Sequence, residues 1–346
     1  MIPLAVDLQQ RIRAFLNGEP GNFDELALEV FTFQRAHNPT YRAFCDRLPP
    51  VTRWEEIPAV PTSAFKDFPI ASFPVSQAVA EFHTSGTTHS QAGKHYFKTL
   101  ELYDTASRLS FAAHLLPDAA RLPVLALTPS PANAPHSSLA HMLGVIAGND
   151  CEFFIEHDTL LLDRLTQRLC EMQWSSQPVM LLGTAFAFMH LFDHLDKLRF
   201  DLPEGSRAME TGGFKGRSRE VTKTELYRLF THQLGIPAQH IVNEYSMTEL
   251  STQFYDDTMR IGRQSNHKDV PAWARIRIID PSSGQMAPVG ERGLIRVYDL
   301  ANLWSALCIQ TEDLGIAHAD GTFEVLGRVA GAEVRGCSLN TESLRK

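Results

Sequence analysis

Between residues 100 and 245, short apolar runs take turns with longer stretches of helical period, and this alternation constrains the fold more than any other feature. Residues 100–114 have helical spacing, and 124–127 (Val-Leu-Ala-Leu) form an apolar run. Residues 138–148 read as helix, 151–155 as strand, 160–172 as helix, 179–182 as strand and 186–198 as helix. A short strand at 207–211, a helix at 219–234 and a strand at 240–244 complete the series. Strands that succeed one another through helices pair in parallel, and a parallel sheet is covered on both faces. The expected class is therefore α/β, with mostly parallel, doubly covered sheets. Ligands of such sheets bind beyond the carboxyl ends of the strands. Those ends are expected at Thr84, Thr128, Gly183, Thr211 and Tyr245, and three of the five places are rich in Gly, Ser or Thr.

The flanks differ in texture. Asn22 followed by Glu25 starts a helix whose apolar positions Leu26, Val30 and Phe33 recur at helical spacing. It should end near Asn38-Pro39, with a short second helix at 41–48. Five prolines between residues 49 and 69 mark an irregular connection. After Pro271 the pattern changes to period two at 274–280, a Pro-Ser-Ser-Gly turn, and further strands at 293–298 and 322–326. These predict a small antiparallel unit. The expected organisation is an α/β body over 1–270, with N-terminal helices at 3–48 and a loop at 83–94, then a β subdomain over 271–330 and a tail over 331–346.

Composition excludes several function classes. The net charge of −8 carries no block of like charge, so a nucleic-acid partner lacks its basic footprint. Asp7, Arg11 and Arg13 interrupt the N-terminal apolar positions, which removes a signal-peptide core, and no apolar run approaches membrane-spanning length. A soluble, cytoplasmic protein is expected. The five cysteines are scattered and never form a C-x-x-C pair, which fits a reducing compartment and speaks against structural zinc.

Five stretches carry chemistry. His83-Thr-Ser-Gly-Thr-Thr88 sets four hydroxyls and a glycine in a row. It is either a loop whose donors cradle phosphate or a polar turn of the ordinary kind. It is not a Walker A loop, because six residues separate Gly86 from Gly93 and His95 stands where Ser or Thr belongs. Thr211-Gly-Gly213 follows an expected strand, and so does Asn243-Glu-Tyr-Ser-Met-Thr-Glu249, with an aromatic face, a hydroxyl and a carboxylate. Thr311-Glu-Asp313 reads as an acid in a turn, and Gly327-Arg328 closes the last strand.

In this order the five stretches resemble the adenylate-forming superfamily of acyl-CoA synthetases, luciferases and peptide-synthetase adenylation domains. The resemblance covers roughly residues 80–330 and implies ATP and Mg²⁺ as cofactors. It implies that Thr84, Ser85, Gly86, Thr87 and Thr88 hold phosphate, with Lys94 as a further phosphate contact. It likewise implies Gly212 and Gly213 along the adenine, Tyr245 stacked on it, and Thr248 on the α-phosphate and the substrate carboxylate. Glu249 would hold Mg²⁺, and Asp313 the ribose hydroxyls, with Arg328 nearby. Two departures stand out: His89 replaces the glycine expected after Thr-Thr, and Lys94 is displaced without a preceding proline.

The superfamily usually carries a further domain, with a late catalytic lysine, beyond the Gly-Arg hinge, whereas this chain ends at Lys346. One branch matches: the acyl-protein synthetase (LuxE-like) family of bacterial fatty acid reductase. Its aromatic, Asn- and Tyr-rich turn corresponds to residues 31–44, and its Pro-Thr-Ser-x-Phe-Lys segment to Pro61-Thr-Ser-Ala-Phe-Lys66. Its Gly-Gly-x-Lys stretch corresponds to Gly212-Gly-Phe-Lys215, and its terminal Gly-Cys-x-Leu to Gly336-Cys-Ser-Leu339. With these the resemblance extends over roughly residues 23–340. It implies a carboxylic acid substrate, fatty in this family, and an acyl thioester on Cys337. A reductase or acyl carrier is the implied partner. Cys337 is then a nucleophile with Arg335 close by in sequence, or a thiol that only packs. Lys215 reaches a phosphate or is a solvated loop side chain, and His136 borders an acyl pocket or does not. Phe186, Phe188 and Met189 line such a pocket or belong to the core. Cys45, Cys151, Cys170 and Cys308 read as core. The alternatives are an adenylating ligase that hands its acyl group to CoA or a carrier protein, and a nucleotide-binding homologue with impaired catalysis.

Overall fold

Runs of consecutive buried residues, rather than alternating ones, define the central strands. In the computed structural model, which describes residues 3–84, 92–118, 121–212 and 221–328, Val124–Pro129 and Met180–Thr184 are buried at every position but the last. Such strands need cover on both faces, which only a parallel sheet with crossover helices supplies.

The chain divides into two compact units. One draws its described residues from Ser110–Tyr245 and Tyr255–His267, the other from Met1–Leu109, Ser246–Phe254 and Lys268–Lys346.

In the first unit, five strands pair in parallel among the described residues. Their order is Ile241–Tyr245, Arg207–Thr211, Met180–Thr184, Val124–Pro129 and Cys151–Glu156. Thr159–Leu160 adds an antiparallel edge beside Cys151–Glu156. The expected α/β class holds, and Thr128, Gly183, Thr211 and Tyr245 lie at the carboxyl ends of these strands. Gly183 is required for packing, because a Cβ there would come within 2.9 Å of Leu127 Cβ on the neighbouring strand. The covering helices start on side-chain caps. Thr184 accepts from the Ala187 N–H to open Ala185–Leu195, and Thr222 from the Glu225 N–H to open Lys223–Leu234. Between these helices Phe188, Phe192 and Phe230 are fully buried, with ring centroids 4.6 and 4.9 Å from Phe230. Phe188 and Met189 therefore belong to the core.

The second unit holds the antiparallel sheet. Ala274–Ile279, Arg292–Asp299, Cys308–Ala317 and Phe323–Arg328 pair in antiparallel fashion, and Val60–Pro61 joins Cys308–Ala317 in parallel. The ten-residue strand Cys308–Ala317 was not expected, and it carries Thr311–Asp313, which the sequence pattern puts in a turn. The polar residues are satisfied without one: the Thr311 hydroxyl donates to the Ile295 carbonyl at 2.8 Å and accepts from the Asp313 N–H at 3.1 Å. A second sheet pairs Ala80–His83 with Lys94–Phe97. Thr84 thus ends a strand of this two-stranded ribbon and not of the parallel sheet. The alternating burial of Lys94–Phe97 marks a ribbon with one covered face.

Helices Pro3–Leu16, Phe23–His37 and Pro39–Cys45 pack in the same unit. Asn22 caps the second, accepting from the Asp24 N–H at 2.9 Å. Asn38 ends that helix and caps the third, accepting from the Tyr41 N–H at 3.0 Å. Among the described residues no helix is long and apolar enough to cross a membrane.

Two cysteines depart from the expected burial. Cys45 and Cys308 are buried, but Cys151 is only half-buried and Cys170 is exposed. On Leu162–Gln173 the covered face is Leu165, Leu169 and Met172, and residue 170 points away from it.

Phe230 supplies the test of this core. Phe230→Ala should cost about 3–5 kcal/mol, read as a lower urea midpoint at unchanged slope. A loss below about 1 kcal/mol would show that the aromatic cluster is not the keystone of its unit.

Candidate active site

The ribbon Ala80–His83/Lys94–Phe97 pairs His83 with Lys94, so the chain between them leaves and re-enters at one point. That point is pinched. The Thr84 N–H donates to the Gly93 carbonyl at 2.9 Å, and the Gly93 N–H donates back to the Thr84 hydroxyl at 2.8 Å. A Cβ on Gly93 would lie 3.2 Å from Thr84 Cγ2 and 3.3 Å from the Phe65 carbonyl carbon, which explains the glycine. Ser85, Gly86, Thr87 and Thr88 lie outside the described residues, as do Gly213, Lys215 and Cys337. Lys94 stands on the ribbon. Its ammonium lies 3.5 Å from Glu81, whose carboxylate also meets His83 Nε2 at 2.9 Å. These two neighbours hold the Glu81 carboxyl below its ordinary range, His83 by hydrogen bonding and Lys94 by charge.

Beside this ribbon, in the same unit, runs Ser246–Phe254. Its backbone groups are held by side chains. The Thr248 carbonyl accepts from His95 Nδ1 at 2.7 Å, and the Thr248 hydroxyl donates to the His83 carbonyl at 3.3 Å. The Glu249 carbonyl accepts from Asn302 Nδ2 at 3.0 Å. Asp299 accepts from the Ser251 N–H at 2.9 Å and the Thr252 hydroxyl at 2.8 Å. Gln34 donates to the carbonyls of Asn302 and Leu303 and accepts from the Leu307 N–H, all within 3.0 Å.

The Glu249 carboxyl is buried, and burial raises it from the ordinary carboxylate range to about 7. Its own N–H and the charges of Arg328 and Lys66 pull the other way, while Asp313 adds to the rise. Asp313 faces Arg328 across the paired strands, with Arg328 Nε 3.5 Å from its Oδ1. Glu249, Asp313 and Arg328 are therefore brought near one another, with Thr248 next to Glu249 in the chain. Burial lowers His95 to about 4, against the pull of its hydrogen bonds to Thr248 and Asn302. Asp299 is raised by burial to about 6, opposed by its four hydrogen bonds.

The other unit holds Gly212 and Tyr245 at the ends of adjacent strands. Asn243 Nδ2 donates to Glu210 Oε1 at 2.8 Å and ties the two strands together. His136 is exposed and precedes the helix Ser138–Ala147, which Ser137 caps.

Residues that the motifs did not single out complete the arrangement: Lys66, His95, Asp299 and Asn302. Lys66 had a signal, the lysine of Pro61–Lys66. The other three are single polar residues without a motif.

The model of one family, acyl-protein synthetase, LuxE, matches residues 20–344 of the chain. The chain belongs to this family. Two relatives, both named long-chain-fatty-acid–luciferin-component ligase, resemble it along nearly its whole length. The one from Aliivibrio fischeri is 22% identical over 339 residues, covering 92% of this chain and 87% of its own. The one from Vibrio harveyi is 23% identical over 336 residues, covering 90% and 85%. Among solved structures, an open conformation of 2-hydroxyisobutyryl-CoA ligase in complex with 2-HIB-AMP and CoA matches with a TM-score of 0.62. It is 16% identical, over 90% of this chain and 71% of that one. ATP-bound MatB from Rhodopseudomonas palustris matches with a TM-score of 0.53 at 16% identity, over 74% of this chain, which spans about half (49%) of MatB's length. At these identities the structures share the fold.

The opposed shifts of Glu249 and His95 make a prediction for this acyl-protein synthetase family member. Glu249 binds its proton more tightly in the folded chain, so it lowers stability as pH rises from 4.5 to about 7. His95 binds its proton less tightly when folded, so it lowers stability as pH falls from 6.5 to about 4. In Glu249→Gln the Glu249 slope is lost, while those of His95 and of the raised Asp299 remain. The stability gained over wild type should therefore grow by on the order of 3 kcal/mol between those pH limits and stay level outside them. Urea midpoints across pH would measure it, and a gain independent of pH would refute the raised Glu249.

Proposed function

We propose that the protein activates a carboxylic acid, a fatty acid by family, with ATP and then carries the acyl group on its own cysteine. The family match along residues 20–344 supports the reaction class. The buried Glu249 beside Asp313, Arg328 and Lys66 is the observation that carries the reading to specific residues.

In the first step a substrate carboxylate oxygen attacks the α-phosphorus of ATP. An O–P bond forms, the α–β anhydride bond breaks, and pyrophosphate leaves with its electron pair. Such a displacement needs alignment and charge neutralisation more than proton transfer. Thr84, Ser85, Gly86, Thr87 and Thr88 take the pyrophosphate end by their donors, with Lys94 at the ribbon edge. Thr248 donates to the α-phosphate and orients the carboxylate. Gly212 and Gly213 lie along the adenine, Tyr245 stacks on it, and Asp313 accepts from the ribose hydroxyls with Arg328 near. Lys215 contributes a positive charge.

Glu249 fits Mg²⁺ by its chemistry: a buried hard-oxygen donor without a full counter-charge, of the kind that holds this ion together with substrate phosphates. Bound there, Mg²⁺ supplies neutralisation of phosphate charge. Glu249 must be ionised to hold it, so metal affinity is coupled to pH through a carboxyl poised near 7.

In the second step the Cys337 thiolate attacks the acyl carbon, a C–S bond forms, and AMP leaves. A reductase or an acyl carrier then receives the acyl group.

Two variants test this reading. Cys337→Ala should keep fatty-acid-dependent exchange of pyrophosphate into ATP and lose covalent acyl label, and label retained on the variant would move the acceptor elsewhere. Glu249→Gln should slow the exchange by about 10²- to 10³-fold, as loss of one preorganised charge does, and an unchanged rate would remove Glu249 from the metal site.

A further inference from the structure

The two strands that flank the proposed phosphate loop both reach Thr248, and one of the two contacts comes from His95, which no motif singles out. From the outgoing strand, the His83 carbonyl accepts from the Thr248 hydroxyl at 3.3 Å. From the returning strand, His95 Nδ1 meets the Thr248 carbonyl at 2.7 Å. A carbonyl only accepts, so Nδ1 carries the proton and donates. The ring has no freedom to leave. It is 1% exposed, lies on Phe97 at 4.1 Å and 36°, and meets Phe65 edge-on at 5.8 Å. Its backbone partner across the ribbon is Phe82, one residue from His83.

We propose that His95 is a positioning residue that locks the phosphate-loop ribbon to the Thr248–Glu249 turn. This rests on the activation chemistry proposed above. The loop holds the leaving pyrophosphate, and the turn holds the α-phosphate and the metal. In-line displacement requires those two sets of groups to keep their spacing, and an error near 1 Å costs about 10²-fold. Asn302 fixes the next carbonyl, that of Glu249, from the opposite side in sequence. Without His95 the turn keeps that tether, although Asn302 loses its own bond to His95, and of its two ties to the ribbon only the longer one, from the Thr248 hydroxyl to the His83 carbonyl at 3.3 Å, remains. The expected defect is in the rate of the displacement rather than in nucleotide affinity.

The test uses the full chain, ATP, Mg²⁺ and a panel of straight-chain fatty acids in the pyrophosphate exchange assay. His95→Phe keeps an aromatic ring on Phe97 and removes the donor. His95→Asn places an amide N–H where Nδ1 was and gives up ring volume. The Phe variant should lose about 10- to 100-fold in kcat with KM for ATP changed less than about 3-fold. The Asn variant should recover most of that rate although it leaves a cavity, so activity follows the donor and not stability measured by thermal melting. A Phe variant at wild-type rate overturns the proposal. So does a Phe variant that raises KM at unchanged kcat, or an Asn variant as slow as Phe, which assigns the effect to packing. A wild-type chain that exchanges with no acid of the panel overturns the activation reading and the lock with it. Exchange by wild type together with full activity of the Phe variant overturns the lock alone.

Discussion

The stretch from Thr248 to Thr252 has no strand of its own, and the site depends on how it is held. Each tether is a side chain reaching a backbone or hydroxyl group: His95 to the carbonyl of 248, Asn302 to the carbonyl of 249, and Asp299 to the N–H of 251 and the hydroxyl of 252. Trp273 Nε1 adds a bond to the same Thr252 hydroxyl at 3.0 Å. Buried polar networks of this kind are rigid when complete and costly when one member is lost. Gln34 extends the network into the helix Phe23–His37 by fixing the segment that carries Asn302. The N-terminal helices are thereby coupled to the acid-bearing turn through one glutamine.

That rigidity accounts for the electrostatics. A flexible turn would swing Glu249 towards water and restore an ordinary carboxylate. Held in place, the carboxyl stays buried, and its nearest cations do not compensate. Arg328 is mostly exposed and is already engaged by Asp313 at 3.5 Å, where solvent screening leaves little attraction. The result is a carboxyl raised to about 7, chiefly by burial. The opposite shift of His95 has the same cause, burial, acting on a base. The neutral imidazole is what makes it a dependable single donor at physiological pH.

The sequence was legible where local pattern carries the information. Continuous apolar runs such as 124–127 and 179–182, set between helical stretches, read as buried parallel strands, and a cap such as Asn22 lies next to what it caps, whereas the helix expected at 219–234 starts later than its pattern suggests: it is Lys223–Leu234, capped by Thr222. The acid and its neighbours Thr248, Asp313 and Arg328 were legible as motifs. The strand Cys308–Ala317 was not, because Thr-Glu-Asp is turn chemistry locally and its hydrogen bonds go to Ile295, sixteen residues away. The ribbon strand Lys94–Phe97 was hidden for a similar reason: a lysine and a histidine begin it. His95 finds its partner 153 residues away and Asn302 its partner 53 away. No window of local sequence reports such pairs, and single polar residues in buried places have no period to reveal them.

The same burial that shapes Glu249 and His95 bears on the proposed transfer of an acyl group to a cysteine. A thiol attacks an acyl-phosphate as its thiolate, and a pKa far above neutral leaves almost none of it. Desolvation pushes Cys45 up to about 11 and Cys151 and Cys308 up to about 12. For Cys45 the Tyr41 hydrogen bond, and for Cys308 the nearby Arg296 charge, reduce the rise without reversing it. Cys45 and Cys308 are moreover buried, so attack by either would require the surrounding core to open first, whereas Cys151 is half-buried and is disfavoured by its raised pKa alone. Cys170 is exposed on its helix, and Cys337 lies outside the described residues. Cys337, the acceptor proposed above, is the one cysteine in the segment that resembles the family's terminal Gly-Cys-x-Leu.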